Sequence, residues 1–295
     1  MGTHALDLHL IKNFAVREPP EFRNLWHLGA NDRRPRVGPI TRFAKFQLDC
    51  STDVDRHIRA VQNRASIQMF EVLGGRTPEF ADWQATIDCL AVHYVRSRVL
   101  EAQLESEMQR LVDEGSITGR LADFEYTRLA SHQDLATFQG LCDCAAATFS
   151  NLVSMLAVPA RGHSFITSDA LIHAMPNAGE VFPGIGLLVW FPMGPRVGMF
   201  MCGEEHLVPV VRLEVFGGKS GSIRPRGPER DPGIRQSPME PLDVDAESAD
   251  TLNCLMALTS RRLFARDRQA IDAALARAAD FETIPVPFRY RPAAY

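Results

Sequence analysis

Lysine is almost missing from this 295-residue chain: among 32 basic residues only Lys12, Lys45 and Lys219 are lysines. Positive charge is therefore carried by arginine, and against 36 acidic residues it leaves a formal net charge of −4. No overall basic field exists to gather nucleic acid or anionic lipid, although that total still allows a local arginine patch. Long apolar runs are missing too. Stretches such as Ile185 to Phe191 fall far short of the roughly 20 residues of a membrane helix. The opening stretch has no basic head, apolar core and small-residue cleavage site, so no secretory signal is expected. Leu6 stands where a myristoylation signal wants Ser or Thr.

The cysteines are few and scattered, at positions 50, 89, 142, 144, 202 and 254. That spread reads as reduced thiols in a cytoplasmic protein, not as a disulfide framework. Cys142-Asp143-Cys144 has the wrong spacing for a zinc knuckle or a thioredoxin-type dithiol. Several catalytic signatures are absent as well: no Walker A loop, G-x-S-x-G elbow, H-E-x-x-H helix or strand-led G-x-G-x-x-G. Gly184-Ile185-Gly186 is only a fragment of the last, and Arg76-Thr77-Pro78 is better read as a helix start.

What is present is a globular composition, 45% hydrophobic and 23% charged, enough for a sizeable core. Residues 4 to 14 read as a strand or extended entry, and 24 to 49 as loops with short strands. Ile58, Val61, Ala65, Met69 and Val72 recur at helical spacing and predict a helix over 54–73, stopped by Gly74-Gly75. Thr77, Pro78 and Glu79 announce the next helix, which keeps its period through Trp83, Ile87, Leu90 and Tyr94, with a break near Ser97 and a stop at Gly115. A further helix opens at Ser131, with Asp134 in its first turn, and is expected to run to about Val158. After Pro159 the composition turns to strands at 164–168, 186–191, 196–202 and 208–216, with Pro192 to Pro195 as a hairpin connection. The glycine- and proline-rich stretch 217–241 reads as a mobile loop, and helices return over about 246–280, Leu263 included. The expectation is an α+β fold in a single domain spanning 1–295. Its helical part covers about 54–158, and a small antiparallel sheet lies in the second half at about 160–216.

Three places could carry chemistry. His4, Asp7 and His9 offer imidazole and carboxylate ligands for a transition metal, with Asp7 and His9 on one face of a strand and His4 on the other. Cys89, His93 and Arg96 share one helix strip, with Arg98 nearby. There a His beside an Arg could act as a general base or hold an anion, or could serve as a buried polar network. Phe165-Ile166-Thr167-Ser168-Asp169 is an apolar strand that ends abruptly in small polar residues and a carboxylate. Such an end can aim a side chain into a cleft or simply cap the next segment.

Taken in order along the chain, these motifs resemble the bacterial family catalogued as domain of unknown function 4238. His4, Ile11, Asn13 and Phe14 match the family's opening H-Y-V-P-x-F-Y-L-x-N-F, with Asp7 in place of Pro and Leu10 in place of Tyr. His93 and Arg96 match a polar residue shortly before Arg on a mid-chain helix. Thr167, Ser168 and Asp169 match the Thr-Ser-Asp strand motif, without the family's usual Asn-Pro after it. Phe191 to Pro195 echoes a Phe-Pro-Leu-x-Pro hairpin, and Leu252-Asn253 with Arg262 to Phe264 match a late helix and its sequel. The similarity covers His4 to about Ala270. Gln62 stands where the family is expected to carry Glu, which argues against a metal role there. The resemblance implies a place in antiphage defence but no reaction. The His, Arg and Asp constellation is itself compatible with phosphodiester chemistry, so phosphodiesterase or other hydrolase activity is expected of the effector. His4, His93, Arg96 and Asp169 would then be catalytic. His4 and Asp169 would suit a divalent metal, Arg96 would hold a phosphate, and Thr167, Ser168 and Asn253 would line the substrate site. The alternatives are a sensor that binds a ligand or phage component without turnover, and a biosynthetic enzyme acting on a small metabolite; nucleic acid or a phage component is the expected partner class.

The cysteine reading generates a direct check. Thiol titration of the denatured protein without reductant should find six free groups, and reductant should leave the melting temperature unchanged. A melting temperature that drops on reduction would reveal a disulfide.

Overall fold

Alternation of side chains along two adjacent strands organises the molecule. In β7 (Leu188–Gly194) the residues Val189, Phe191 and Met193 belong to one hydrophobic cluster, and Trp190 between them belongs to another. In β8 (Val197–Cys202), Met199 and Met201 join the first cluster and Phe200 the second. Successive side chains of a strand point to opposite faces, so at β7 and β8 this central sheet is buried on both sides. The computed structural model describes residues 8–18, 22–40, 50–73, 80–96, 113–115, 133–175, 188–202, 211–215, 219–225, 242–279 and 289.

The central sheet has seven strands in the order β6-β7-β8-β4-β11-β10-β9. Its members are β4 (Val153–Pro159), β6 (His173–Met175), β7, β8, β9 (Val211–Val215), β10 (Lys219–Pro225) and β11 (Leu242–Val244). All pairings are antiparallel except β4 with β11, which run parallel. A second sheet is built on β1 (Val16–Glu18), β2 (Phe22–Gly29), β12 (Arg262–Ala265) and β5 (Thr167–Ser168) in that order, with β3 (Arg36–Pro39) also on β2. A late strand thus pairs with both an N-terminal and a mid-chain strand.

Helices cover both faces. Against the first cluster pack α2 (Thr52–Leu73), α3 (Phe80–Val95) and α4 (Leu135–Ser150), through Ile58, Val61, Leu90, Phe138 and Phe149. Against the second pack α5 (Ala246–Thr259) and α6 (Arg268–Ala279), through Leu252, Leu255, Ile271 and Leu275. A short helical turn α1 (Leu8–Ile11) leads the chain in and buries Leu10 and Ile11. Helix outweighs strand among the described residues, and the whole is an α+β fold. None of the helices described is long and apolar enough to cross a membrane.

Several expectations change. The short strands expected within 24–49 are β2 and β3, and with β1 they join a second sheet that the small sheet expected in the second half did not include. The entry at 8–14 is helical, α1 followed by a 3-10 turn over Lys12–Phe14. The helix expected to reach Val158 ends at Ser150, where Asn151 caps it, and 153–159 becomes strand β4. A short apolar run satisfies a helix or a strand equally well, and here the neighbouring strands β8 and β11 decide. Leu263 lies in β12, not in a helix. Within the expected loop, Lys219–Pro225 pairs with β9 as a strand; 226–241 lies outside the described residues. So do the helix start at Thr77 to Glu79, the segment 97–112 and the extended tail other than Arg289. Asp134 is the N-cap of α4, its carboxylate accepting from the Thr137 amide at 2.8 Å.

Trp190 shows how tightly the second face is packed. A Cβ on Gly198 would fall 2.1 Å from its ring, so only glycine fits opposite. Phe165 packs edge-on against the indole with ring centroids 4.7 Å apart. His173 lies directly across from Trp190 in the β6–β7 register and so shares that face. Burial drives its pKa from 6.5 down to about 4, so the folded protein holds it neutral. A depressed pKa contributes stability that is complete above about 6.5 and is lost as the pH falls toward 4. The loss should reach about 3 kcal/mol. Urea unfolding of the wild type and of His173→Gln between pH 7 and pH 4.5 should give a steeper decline for the wild type. Parallel declines would mean that His173 is not buried neutral.

Candidate functional site

Of the residues singled out from sequence, His4 and Asp7 lie outside the described residues, as does Arg98, and the side chain of His9 is likewise not described. His93 is 3% exposed on α3 and stacks on Phe191, with ring centroids 6.3 Å apart. Cys89, one turn earlier, is fully buried, and Arg96 ends the same strip near Cys142. Burial, with Asp143 adding to it, pushes the Cys142 thiol up to about 12, which removes it as a thiolate nucleophile. This strip therefore meets the first face of the central sheet.

Asp169 has its described contacts elsewhere. Its Oδ1 accepts from the backbone amides of Arg261 and Arg262 at 3.1 and 3.2 Å, and its own amide donates to the Arg262 carbonyl at 3.1 Å. Thr167 and Ser168 are fully buried in β5. Ser168 Oγ accepts from the Ala170 amide at 3.2 Å and its carbonyl from the Leu171 amide at 3.2 Å, closing a turn in which Leu171 adopts φ +60°. Asn253 is buried on α5 and spans the segment before β5. Its Oδ1 accepts from the Ile166 amide and its Nδ2 donates to the Ser164 carbonyl, both at 2.9 Å. The structure thus brings Thr167, Ser168, Asp169 and Asn253 together along one stretch, 164–169. The described bonds of Asp169 and Asn253 go to backbone. No group of three or more His, Cys, Asp or Glu that could hold a metal ion occurs among the described residues.

What this stretch carries is a turn that sequence reading passed over. Residues 160–166 connect β4 to β5, and they are held at nearly every step. The Ala160 amide donates to the Val244 carbonyl at 2.7 Å, and the His163 amide to the Ala160 carbonyl at 3.0 Å. Arg196 Nη1 donates to the His163 carbonyl at 3.0 Å, and Ser164 Oγ donates to Asp267 Oδ2 at 2.6 Å. The Phe165 amide donates to the Pro195 carbonyl at 3.0 Å, on the β7–β8 hairpin, and Asn253 takes the rest. Gly162 adopts φ +91°, a conformation that favours glycine.

The result is a rigid platform for one imidazole. His163 Nδ1 lies 3.9 Å from Asp250 Oδ1, with the side chains 38% and 29% exposed. Asp250 sits on α5 one turn before Asn253, so the helix that pins the turn also supplies the carboxylate. Partial burial holds the Asp250 carboxyl above its ordinary range, while nearby His163 and Arg277 pull it back down. Arg277 pairs with Glu247 at 3.1 Å beside it. Arg161 and Arg196 are exposed on the turn and on the adjoining hairpin tip. An imidazole whose Nδ1 edge faces a carboxylate, with exposed arginines on the same turn and the adjoining hairpin tip, has the parts of a base and anion site.

The two backbone clamps respond differently to substitution. Asn253→Ala leaves the Ile166 amide and Ser164 carbonyl without their partner and should cost about 2–4 kcal/mol. Asp169→Asn keeps an acceptor for the Arg261 and Arg262 amides and should cost under about 1 kcal/mol. Melting temperatures of the two variants check this, and the reverse order would refute the assignment of Asn253 as the main clamp.

No protein-family model, curated protein or solved structure matches this chain.

Proposed function

We propose that the protein is a hydrolase of anionic esters, phosphodiesters foremost, acting as a cytoplasmic antiphage-defence effector. His163 serves as general base and acid, Asp250 positions its ring, and Arg161 and Arg196 receive the anion. The observation that carries this reading is the turn 160–166, fixed by bonds from β11, α5, the 195–196 hairpin tip and Asp267, with a half-exposed imidazole facing a carboxylate. Proteins concentrate such restraint, and positive-φ backbone, where a side chain must be aimed. Hydrolysis adds water across one phosphorus–oxygen bond with no redox change: the water oxygen bonds to phosphorus and its proton ends on the leaving oxygen. His163 Nε2 takes the proton of the attacking water, the phosphorus–oxygen bond to the leaving group breaks, and the imidazolium returns the proton to that oxygen. The defence role rests on the resemblance of the motifs from His4 to Ala270.

This reading places the chemistry at His163 and Asp250 instead of at the expected set of His4, His93, Arg96 and Asp169. The sensor alternative draws on the same turn, where exposed Arg161 and Arg196 with half-exposed His163 would hold a ligand or phage component without turning it over.

Hydrolysis of a chromogenic phosphodiester, measured with added magnesium or manganese and with chelator, tests the reading. His163→Ala should lower kcat by about 100-fold or more, the range of a lost general base, with an unchanged melting temperature. Asp250→Asn should lower kcat with little change in KM and shift the pH–rate profile. A folded His163→Ala protein with full activity, or a wild type inert under every condition, would overturn the proposal.

A further inference from the structure

Around the turn between β2 and β3 the fold gathers arginines from three separate parts of the chain. Arg33 and Arg34 lie in the turn itself and Arg36 opens β3, all exposed. Arg262 pairs with Gly29 at the end of β2, and the Ala30 amide donates to the carbonyl of Arg261 at 2.8 Å. The Arg289 amide donates in turn to the Ala30 carbonyl at 3.0 Å. Arg261 and Arg289 are exposed, and Arg262 is half-buried. Six arginines therefore surround one short turn.

The carboxylates described at this end are Asp32 and Asp169, and both hold backbone. Asp32 Oδ2 accepts from the Gly29 amide at 2.7 Å, and Asp169 Oδ1 from Arg261 and Arg262. They stiffen the frame that carries the arginines. The Asp32 amide donating to the Gly29 carbonyl at 2.9 Å closes the turn.

We propose that this arginine cluster is a binding surface for the phosphodiester backbone of a nucleic acid. Guanidinium groups present planar forks that match phosphate oxygens, and a rigid turn loses little freedom on engaging them. The chain as a whole carries a net charge of −4, so general attraction to polyanions is absent and binding depends on this patch. The same sign of charge could meet an anionic membrane. Val37, 51% exposed, is the one large exposed apolar residue described there, too little to enter a bilayer. The surface goes beyond the hydrolase reading and does not rest on it. Arg262 and Ala265 mark opposite ends of β12, and Asp267, just past the latter, bonds the His163 turn. The two places are thus separated by the length of that strand.

The full-length protein should be titrated against labelled single-stranded DNA, duplex DNA and RNA of about 20 nucleotides, at two salt concentrations. Anionic phospholipid vesicles serve as a parallel arm. The wild type should bind nucleic acid with an affinity that falls steeply with salt. Arg33→Gln combined with Arg34→Gln should weaken binding at least several-fold and flatten the dependence of log Kd on log salt by roughly one to two. Arg64→Gln, an exposed change on α2, should bind as the wild type does. Whether RNA or DNA binds better identifies the sugar of the partner, and either supports the proposal. No binding to any nucleic acid at low salt, equal binding by the double variant, or tighter binding to vesicles would overturn it. Because the double variant leaves His163 and Asp250 untouched, it should hydrolyse the small diester like the wild type. Failure of the surface and failure of the hydrolase reading are therefore distinguishable.

Discussion

A sheet buried on both faces leaves little freedom to the rest of the chain. Trp190 and Phe191 are neighbours in sequence, yet each is fully buried and each belongs to a different hydrophobic cluster. A one-residue slip of β7 would exchange the two clusters, so its register with β6 and β8 is set by the helices on either side. Gly198 is a consequence of the same constraint, since the indole occupies the space that a side chain would need. Polar chemistry is pushed to the ends of strands and to the turns that join them, where backbone can meet both solvent and helix.

Crossing between the two sheets creates a second demand. The segment from Ser164 to Ile172 leaves the central sheet at β4, forms two residues of β5, and returns as β6. Its buried backbone groups must be paired, and strand neighbours cannot reach all of them. Asn253, Ser168 and Asp169 supply the missing partners, with Asp169 tying the segment to β12. These small polar side chains do what a longer strand would do. As a by-product, the turn just before them is held by several bonds, and it is the one that presents His163 to Asp250. The arginine surface has a related origin. The amides that Asp169 accepts belong to Arg261 and Arg262, which also bond the end of β2.

The parts legible in the sequence were those with a strong local period or cap. The stripe from Ile58 to Val72 became the buried face of α2, and Asp134 lies at the start of α4 as its capping geometry requires. The β7–β8 hairpin was announced by its prolines and Gly194. The boundary between α4 and β4 was not legible, because Leu152 to Val158 is apolar but for Ser154 and fits either period, so only its sheet neighbours choose. The N-terminal sheet was blurred by glycine, proline and arginine, which suggest loops even where β12 completes a ladder. Thr167 to Asp169 stand out in sequence as polar residues at a strand end, but a side chain that pairs backbone, as Asp169 and Asn253 do, is indistinguishable in sequence from one that binds a ligand. His163 went unnoticed because its partner Asp250 is supplied by a distant helix; the sole local sign was the Arg161-Gly162-His163 turn after Pro159.

The central claim is that residues 160–166 form a fixed platform for His163. Native-state amide exchange of His163, Phe165 and Ile166 tests it most directly, because each amide donates one of the bonds that define the turn. All three should exchange only through near-global unfolding and be slowed by orders of magnitude relative to an open loop. Exchange at the rate of an unprotected loop would show that the turn is not held, and the imidazole would then have no defined relation to Asp250.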